Sequence, residues 1–264
     1  MPGQRNDAGG GGMPEANSAR PARGDPRRIR VLRFMRVVGD HSDFPFSSGA
    51  IWARDFVRHL EYLERGRFTP VTLADFRLFR AGELDLPRKP VVLCFLAGDR
   101  EFMQTAFPVM ERLGVKGVLF VAAGSLAQTA PPGAMPAAGR GGLEAGHLVE
   151  LSSAGFEIGS LGMTGTDLTT LPEDRVWAEL SRSRMLLEYH LNREVRAFSY
   201  PGGGFTPGIK AMVAEAGYSN ALWGRGRGRG RRGAFDADLL EIGSLLVTGK
   251  TISPRLVVYM NFGL

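Results

Sequence analysis

Two groupings of apolar residues alternate along this chain: short unbroken runs, and residues that recur every three or four positions. The runs fit strands buried on both faces, as in a parallel sheet, and the spaced residues fit one-faced helices. Val91-Val92-Leu93-Cys94-Phe95, bounded by Pro90 and Gly98, is the clearest run. A helix is predicted from about Gln104 to Leu113, ended by Gly114, and a second run follows at Val118-Leu119-Phe120-Val121. Strand, helix and strand at this spacing make a βαβ unit with a right-handed crossover. Its chemistry, if any, belongs at the carboxyl end of the first strand, Leu96-Ala97-Gly98.

The same alternation extends in both directions. Ile29 to Phe34 has the β-branched and aromatic character of a first strand. Trp52, Phe56, Leu60 and Leu63 then form one face of a helix, with Arg54, Arg58, Glu61 and Arg65 outside and His59 expected on the surface. Pro70 to Leu73 is a short strand and Ala74 to Phe79 a short helix. Gly124 to Gly142 is too rich in Ala, Gly and Pro to bury much, and is expected to be a mobile flap over the strand ends. Leu143 to Ala154 is a helix closed by Gly155, with His147 solvated or capping. Thr170 is expected to cap the next helix, with Pro172 in its first turn. Val176, Leu180, Leu187 and Leu191 are its buried stripe, and His190 suits the dipole at its end. Leu239 to Val247 is the last strand.

Composition narrows the class. A chain of 264 residues with 44% hydrophobic residues can bury one sizeable core. One domain is expected over residues 27–264, after a disordered tail from Met1 to Pro26. A lone cysteine, Cys94, excludes an internal disulfide, and its strand setting marks a packed thiol. No apolar signal region or bilayer-length segment occurs, so no membrane insertion is expected and the cytoplasm is the default compartment. The net charge of +6 resides largely in flexible-looking segments. Foremost is Gly224 to Gly233, where Gly and Arg alternate. That strip could hold phosphates through counterion release, but no aromatic residues interleave with its arginines. It reads as a solvated loop, and nucleic acid is not the expected partner.

Three segments carry a resemblance. Val91 to Asp99, Phe156 to Thr169 and Ala197 to Gly203 resemble, in order, the three motif frames of the metal-dependent polysaccharide deacetylases. Gly217 to Trp223 resembles that family's late helix end and strand. The resemblance implies a deformed (β/α)7 barrel related to the TIM barrel. It also implies zinc held by one Asp and two His, an Asp as general base and a His as general acid. The family's paired aspartates correspond to Leu96 and Ala97, and its two metal histidines to Leu161 and Gly165. The Tyr-His that commonly ends its first strand corresponds to Phe34-Met35, and no His follows His190 to serve as the acid. Only the third frame keeps its outline, with Tyr200 and the following backbone implied to face the cleft and help hold an oxyanion.

Without these donors, neither metal nor catalytic residues are expected, because a divalent ion would lose hydration for nothing in return. The resulting expectation is a non-catalytic deacetylase-like protein. It would bind a glycan, or a protein partner such as an active relative, through a cleft lined by Phe34, Met35, Asp99, Asp167, Tyr200 and Trp223. Two alternatives stand beside it. One is a hydrolase with rearranged, metal-independent chemistry built on Asp99, Asp167 or His147, although Asp99 after a glycine also reads as a turn or cap residue. The other is a nucleic-acid-associated protein acting through the Gly-Arg strip.

Overall fold

The computed structural model describes residues 29–40, 49–96, 99–126, 142–224, 238–248 and 254–262. The expected tail, most of the expected flap and residues 225–233 of the Gly-Arg strip lie outside them. The elements run β1 (Arg30–Phe34), β2 (Arg36–Val38), β3 (Ala50–Trp52), α1 (Ala53–Arg65), β4 (Thr69–Val71), α2 (Leu73–Ala81), β5 (Pro90–Phe95), α3 (Arg100–Arg112) and β6 (Val118–Val121). They continue α4 (Ala145–Ser153), β7 (Glu157–Ser160), α5 (Glu173–Leu191), β8 (Ala197–Ser199), α6 (Pro207–Glu215), β9 (Asn220–Gly224), β10 (Ile242–Leu246) and α7 (Pro254–Phe262).

Parallel pairing closes seven strands into a ring. All five residues of β1 pair with β5, from Arg30 opposite Val91 to Phe34 opposite Phe95. β6, β7, β8, β9 and β10 follow in turn, and β10 returns to β1 at Leu32 opposite Leu245. β4 adds only to the first residues of β5, so it lies outside the ring. The fold is therefore the expected seven-stranded α/β barrel, deformed on this side. A two-stranded parallel sheet, β2 with β3, was not legible in the sequence, nor was α7.

Each strand has one face inside the ring and one under the helices, which is why the runs are apolar throughout. Val31, Val92, Cys94, Val118, Phe120, Ala197, Leu222 and Ile242 fill the interior. Gly159 leaves room for Phe120, whose ring carbons would stand 2.6 Å from a Cβ there. The opposite faces carry Leu32, Phe34, Leu93, Phe95, Leu119, Val121, Ile158 and Phe198 to the helices. Phe34 stacks on Phe95 at 5.2 Å and meets Phe56 of α1 edge-on at 5.3 Å, while Phe102 of α3 lies 5.0 Å from Phe95. Burying each such ring contributes about 1.5–3 kcal/mol. α7 covers β1 from below: Arg30 Nε donates to the Tyr259 carbonyl at 2.7 Å.

Local chemistry fixes the helix ends. Asp99 accepts from the Phe102 amide, so α3 starts at Arg100, four residues before the predicted start. Thr72 and Asp75 form a reciprocal capping box on α2, which ends at Gly82 with φ +79°. Thr170 is not the cap of α5: Asp167 takes the Thr169 amide in a separate 3-10 turn, and Pro172 occupies the N-cap. His59 is not on the surface. It is 2% exposed, with Nδ1 2.6 Å from the Asp55 carbonyl. A carbonyl only accepts, so the ring proton sits on Nδ1.

Candidate functional site

The mouth of the barrel lies where the strands end. Leu96 and Leu161 each extend a ladder by one residue, their amides donating to Phe34 O at 3.0 Å and Val121 O at 2.9 Å. Both side chains are half-buried and join the interior cluster. Gly165, with φ +74°, adjoins Leu161: a Cβ there would begin 3.7 Å from Leu161 Cδ2. The positions matching the family's two metal histidines therefore do converge, but as hydrocarbon and glycine. Ala97 lies outside the described residues.

The turn bearing Leu161 is held firmly. Ser160 Oγ donates to Ser183 Oγ at 2.9 Å, and Ser183 Oγ lies 3.1 Å from Tyr218 Oη, joining β7, α5 and the approach to β9. The Gly162 amide donates to Ser160 Oγ, and Glu179 of α5 accepts from both the amide and hydroxyl of Thr164. This frame could position ligands, yet it presents no donor atoms for a divalent ion at 161 or 165. Among the described residues, no group of three His, Cys, Asp or Glu side chains is placed to hold one. Zinc does not fit this donor set.

The residues expected to line a cleft divide into three kinds. Phe34 does not line it: its parity on β1 turns it outward into the aromatic core, where it is fully buried. Asp99 and Tyr200 are buried with their polar atoms already engaged. Asp99 caps α3 with Oδ1, and its Oδ2 lies 2.8 Å from Arg36 Nε. Tyr200 donates its hydroxyl to the Leu240 carbonyl at 3.1 Å and its amide to the Leu222 carbonyl at 2.9 Å. Neither donor remains for an oxyanion. Burial, with Asp238 and Glu241 nearby, also pushes the phenol far above its usual pKa. Met35 is exposed, and Trp223 is half-buried, with Nε1 donating to the Glu241 carbonyl at 3.2 Å. Phe205 links the aromatics, stacked on Tyr200 at 4.5 Å and edge-on to Trp223 at 6.4 Å. Asp167 is half-buried and caps its own turn through Thr169.

Three further titratable groups lie in the scaffold. His147 Nδ1 accepts from the Glu144 amide at 3.0 Å, and Glu144 pairs with Arg100. His147 is thus a capping residue of α4. Burial pushes the Cys94 thiol well up, so it is no nucleophile at neutral pH. Glu157, at the opposite end of the barrel, accepts from the Ala74 amide at 2.8 Å, yet burial raises its pKa to about 7. One residue at the mouth was missed from sequence: Arg33. Period-two counting along Arg30 to Phe34 places it on the inner face with Val31, and that count was the available signal.

Comparison with known proteins adds the context. The sequence profile described as polysaccharide deacetylase matches residues 83–221. YxkH of Bacillus subtilis (strain 168), which carries a polysaccharide deacetylase name, is 20% identical over 193 residues. That match covers 73% of this chain, and the chain spans 63% of YxkH. The deacetylase PplD of Streptococcus pyogenes superposes with a TM-score of 0.73 at 17% identity, covering 89% of this chain and 99% of its own. A de-N-acetylase from Aggregatibacter actinomycetemcomitans gives 0.72 at 17% identity, covering 88% and 99%. These solved structures share the fold.

Proposed function

Because the chain belongs to the polysaccharide deacetylase family, we propose that it is a non-catalytic member whose barrel mouth binds a glycan, or a protein partner such as an active relative. The observation that carries this reading is that the strand ends carry Leu96 and the adjoining pair Leu161 and Gly165, where the resemblance implies a general base and metal ligands. Hydrolysis by the route the resemblance implies needs an ion to polarise the carbonyl and activate water, together with a base and an acid. Each contribution is worth several kcal/mol of barrier, so losing them together leaves negligible turnover. The replacements suit a site relieved of its ion, because an unpaired carboxylate buried there would be costly. Sequestration of Tyr200 and Asp99 in structural hydrogen bonds and an ion pair supports the same reading.

Trp223 alternates with the interior Leu222 and, with Phe205, packs against the outer cluster, so the glycan half rests on the residues at the strand ends themselves. The decisive experiment joins metal analysis of purified full-length protein to an acetate-release assay on acetylated chito-oligosaccharides and peptidoglycan fragments. Substoichiometric zinc and no acetate are expected. Stoichiometric zinc, or acetate release above a heat-inactivated control, overturns the reading. A glycan array covering the same sugars and anionic glycans then divides its two halves, since no binding on the array removes the carbohydrate half.

A further inference from the structure

Arg33 is 8% exposed and faces the interior near the mouth, where few charged side chains are tolerated. Its guanidinium reaches past β10 toward β9, so that a Cβ added to Gly224 would collide with Nη1. On the β5 side its register partner is Cys94, a neutral thiol. Nε is buried without a hydrogen-bond partner, and no carboxylate among the described residues pairs with the group. Burial lowers its pKa, yet a guanidinium remains protonated across the physiological range.

A cation so placed is costly unless something compensates it, whereas a leucine or methionine would fill the same space at no such cost. Among the described residues at the strand ends, Leu96 and Leu161 are apolar and Gly224 has no side chain. What the group retains is a planar fork of donors, whose best match is the two coplanar oxygens of a carboxylate. We infer that Arg33 makes the barrel mouth a receptor for a carboxylate, and that the ligand is an acidic sugar of the uronic acid class. The inference rests on the glycan half of the reading above and narrows it. The sugar's carboxylate faces Arg33, and its less polar ring face lies against Leu96 and Leu161.

The test titrates the full chain with sodium glucuronate, glucose and inorganic phosphate at fixed ionic strength, following the thermal midpoint and the heat of binding. Glucuronate is expected to bind saturably and glucose not to bind. Arg33→Met should fold at least as well as the parent and bind glucuronate at least tenfold more weakly. Arg33→Lys, which keeps the charge but loses the fork, should fall between them. If Arg33→Met fails to fold, Gly224→Ala takes its place, because its methyl displaces the guanidinium and should weaken glucuronate binding several-fold. Failure of glucuronate to bind, phosphate binding alone, or equal glucuronate binding by the parent and the variant used overturns the inference. Binding of neutral chito-oligosaccharide without glucuronate removes this inference and spares the earlier reading. Acetate release removes the earlier reading and leaves the Arg33 titration to be judged separately.

Discussion

Leu161 and Gly165 touch across a tight turn, with Leu161 Cδ2 3.7 Å from the point where a side chain on Gly165 would begin. A spacing that in relatives is implied to join two imidazoles on one ion here joins a methyl group to a bare backbone. The turn itself has settled into a glycine conformation, φ +74°. Gly165→His should therefore destabilise the protein by roughly 1–2 kcal/mol through backbone strain alone. It should bind no zinc, even with Leu161→His. Urea denaturation with and without zinc checks both statements, and a zinc-dependent rise in midpoint for the double variant contradicts the second.

Gly159→Ala should cost roughly 1–3 kcal/mol by overpacking the barrel interior. Its methyl would stand 2.6 Å from the Phe120 ring and 3.0 Å from the Ala197 carbonyl, neither of which can retreat. Adding Phe120→Leu to Gly159→Ala should recover part of the loss in a double-mutant cycle.

Tyr218→Phe removes a hydroxyl that lies 3.1 Å from both Ser183 Oγ and the Leu180 carbonyl in a buried network. The expected loss is about 0.5–1.5 kcal/mol in chemical denaturation. Hydrogen exchange at the Gly162 amide, which the same network orders through Ser160, should accelerate.

Asp99→Asn keeps an acceptor for the Phe102 amide and removes the charge facing Arg36, so it should destabilise the protein by about 1–3 kcal/mol. It should not alter any measured glycan binding. A binding defect at unchanged stability would return Asp99 to the cleft.

Two titratable groups tilt stability in opposite directions with pH. Glu157 is held at about 7 against an ordinary 4.5, so the folded state keeps a proton that the unfolded chain releases. Its contribution is complete below 4.5 and is lost as pH rises toward 7. Glu157→Gln, which retains an acceptor for the Ala74 amide, should flatten the stability profile across that window. His59 is depressed below 6.5 by burial, so its contribution is present above 6.5 and is lost as pH falls toward the folded value. His59→Gln should remove that acid-side loss, seen in denaturation midpoints at pH 5 and 7.

The barrel was legible because its evidence is repetitive: apolar runs between one-faced helices, with three motif frames in order. What escaped were matters of parity and partnership. Motif position put Phe34 in the cleft, although counting by twos along β1 turns Phe34 outward and Arg33 in. His59 among the outward arginines of α1 suggests exposure, but its own helix supplies a carbonyl partner that lets it be buried. No local signal shows that Tyr200 spends its amide on Leu222 and its hydroxyl on Leu240, since both partners are distant in sequence. β2, β3 and α7 are short and depend on tertiary packing for their stability.

The engagement of the Tyr200 amide with Leu222 bears on how reversible the proposed loss of chemistry is. Reverting positions 96, 97, 161 and 165 to acids and imidazoles would rebuild a cradle for an ion while leaving that amide unable to greet the negative charge that gathers on a substrate oxygen. On the proposed non-catalytic reading, a route back to turnover would have to loosen the eighth and ninth strands as well as change four codons, and the silence of the barrel is written into its backbone and not only its side chains.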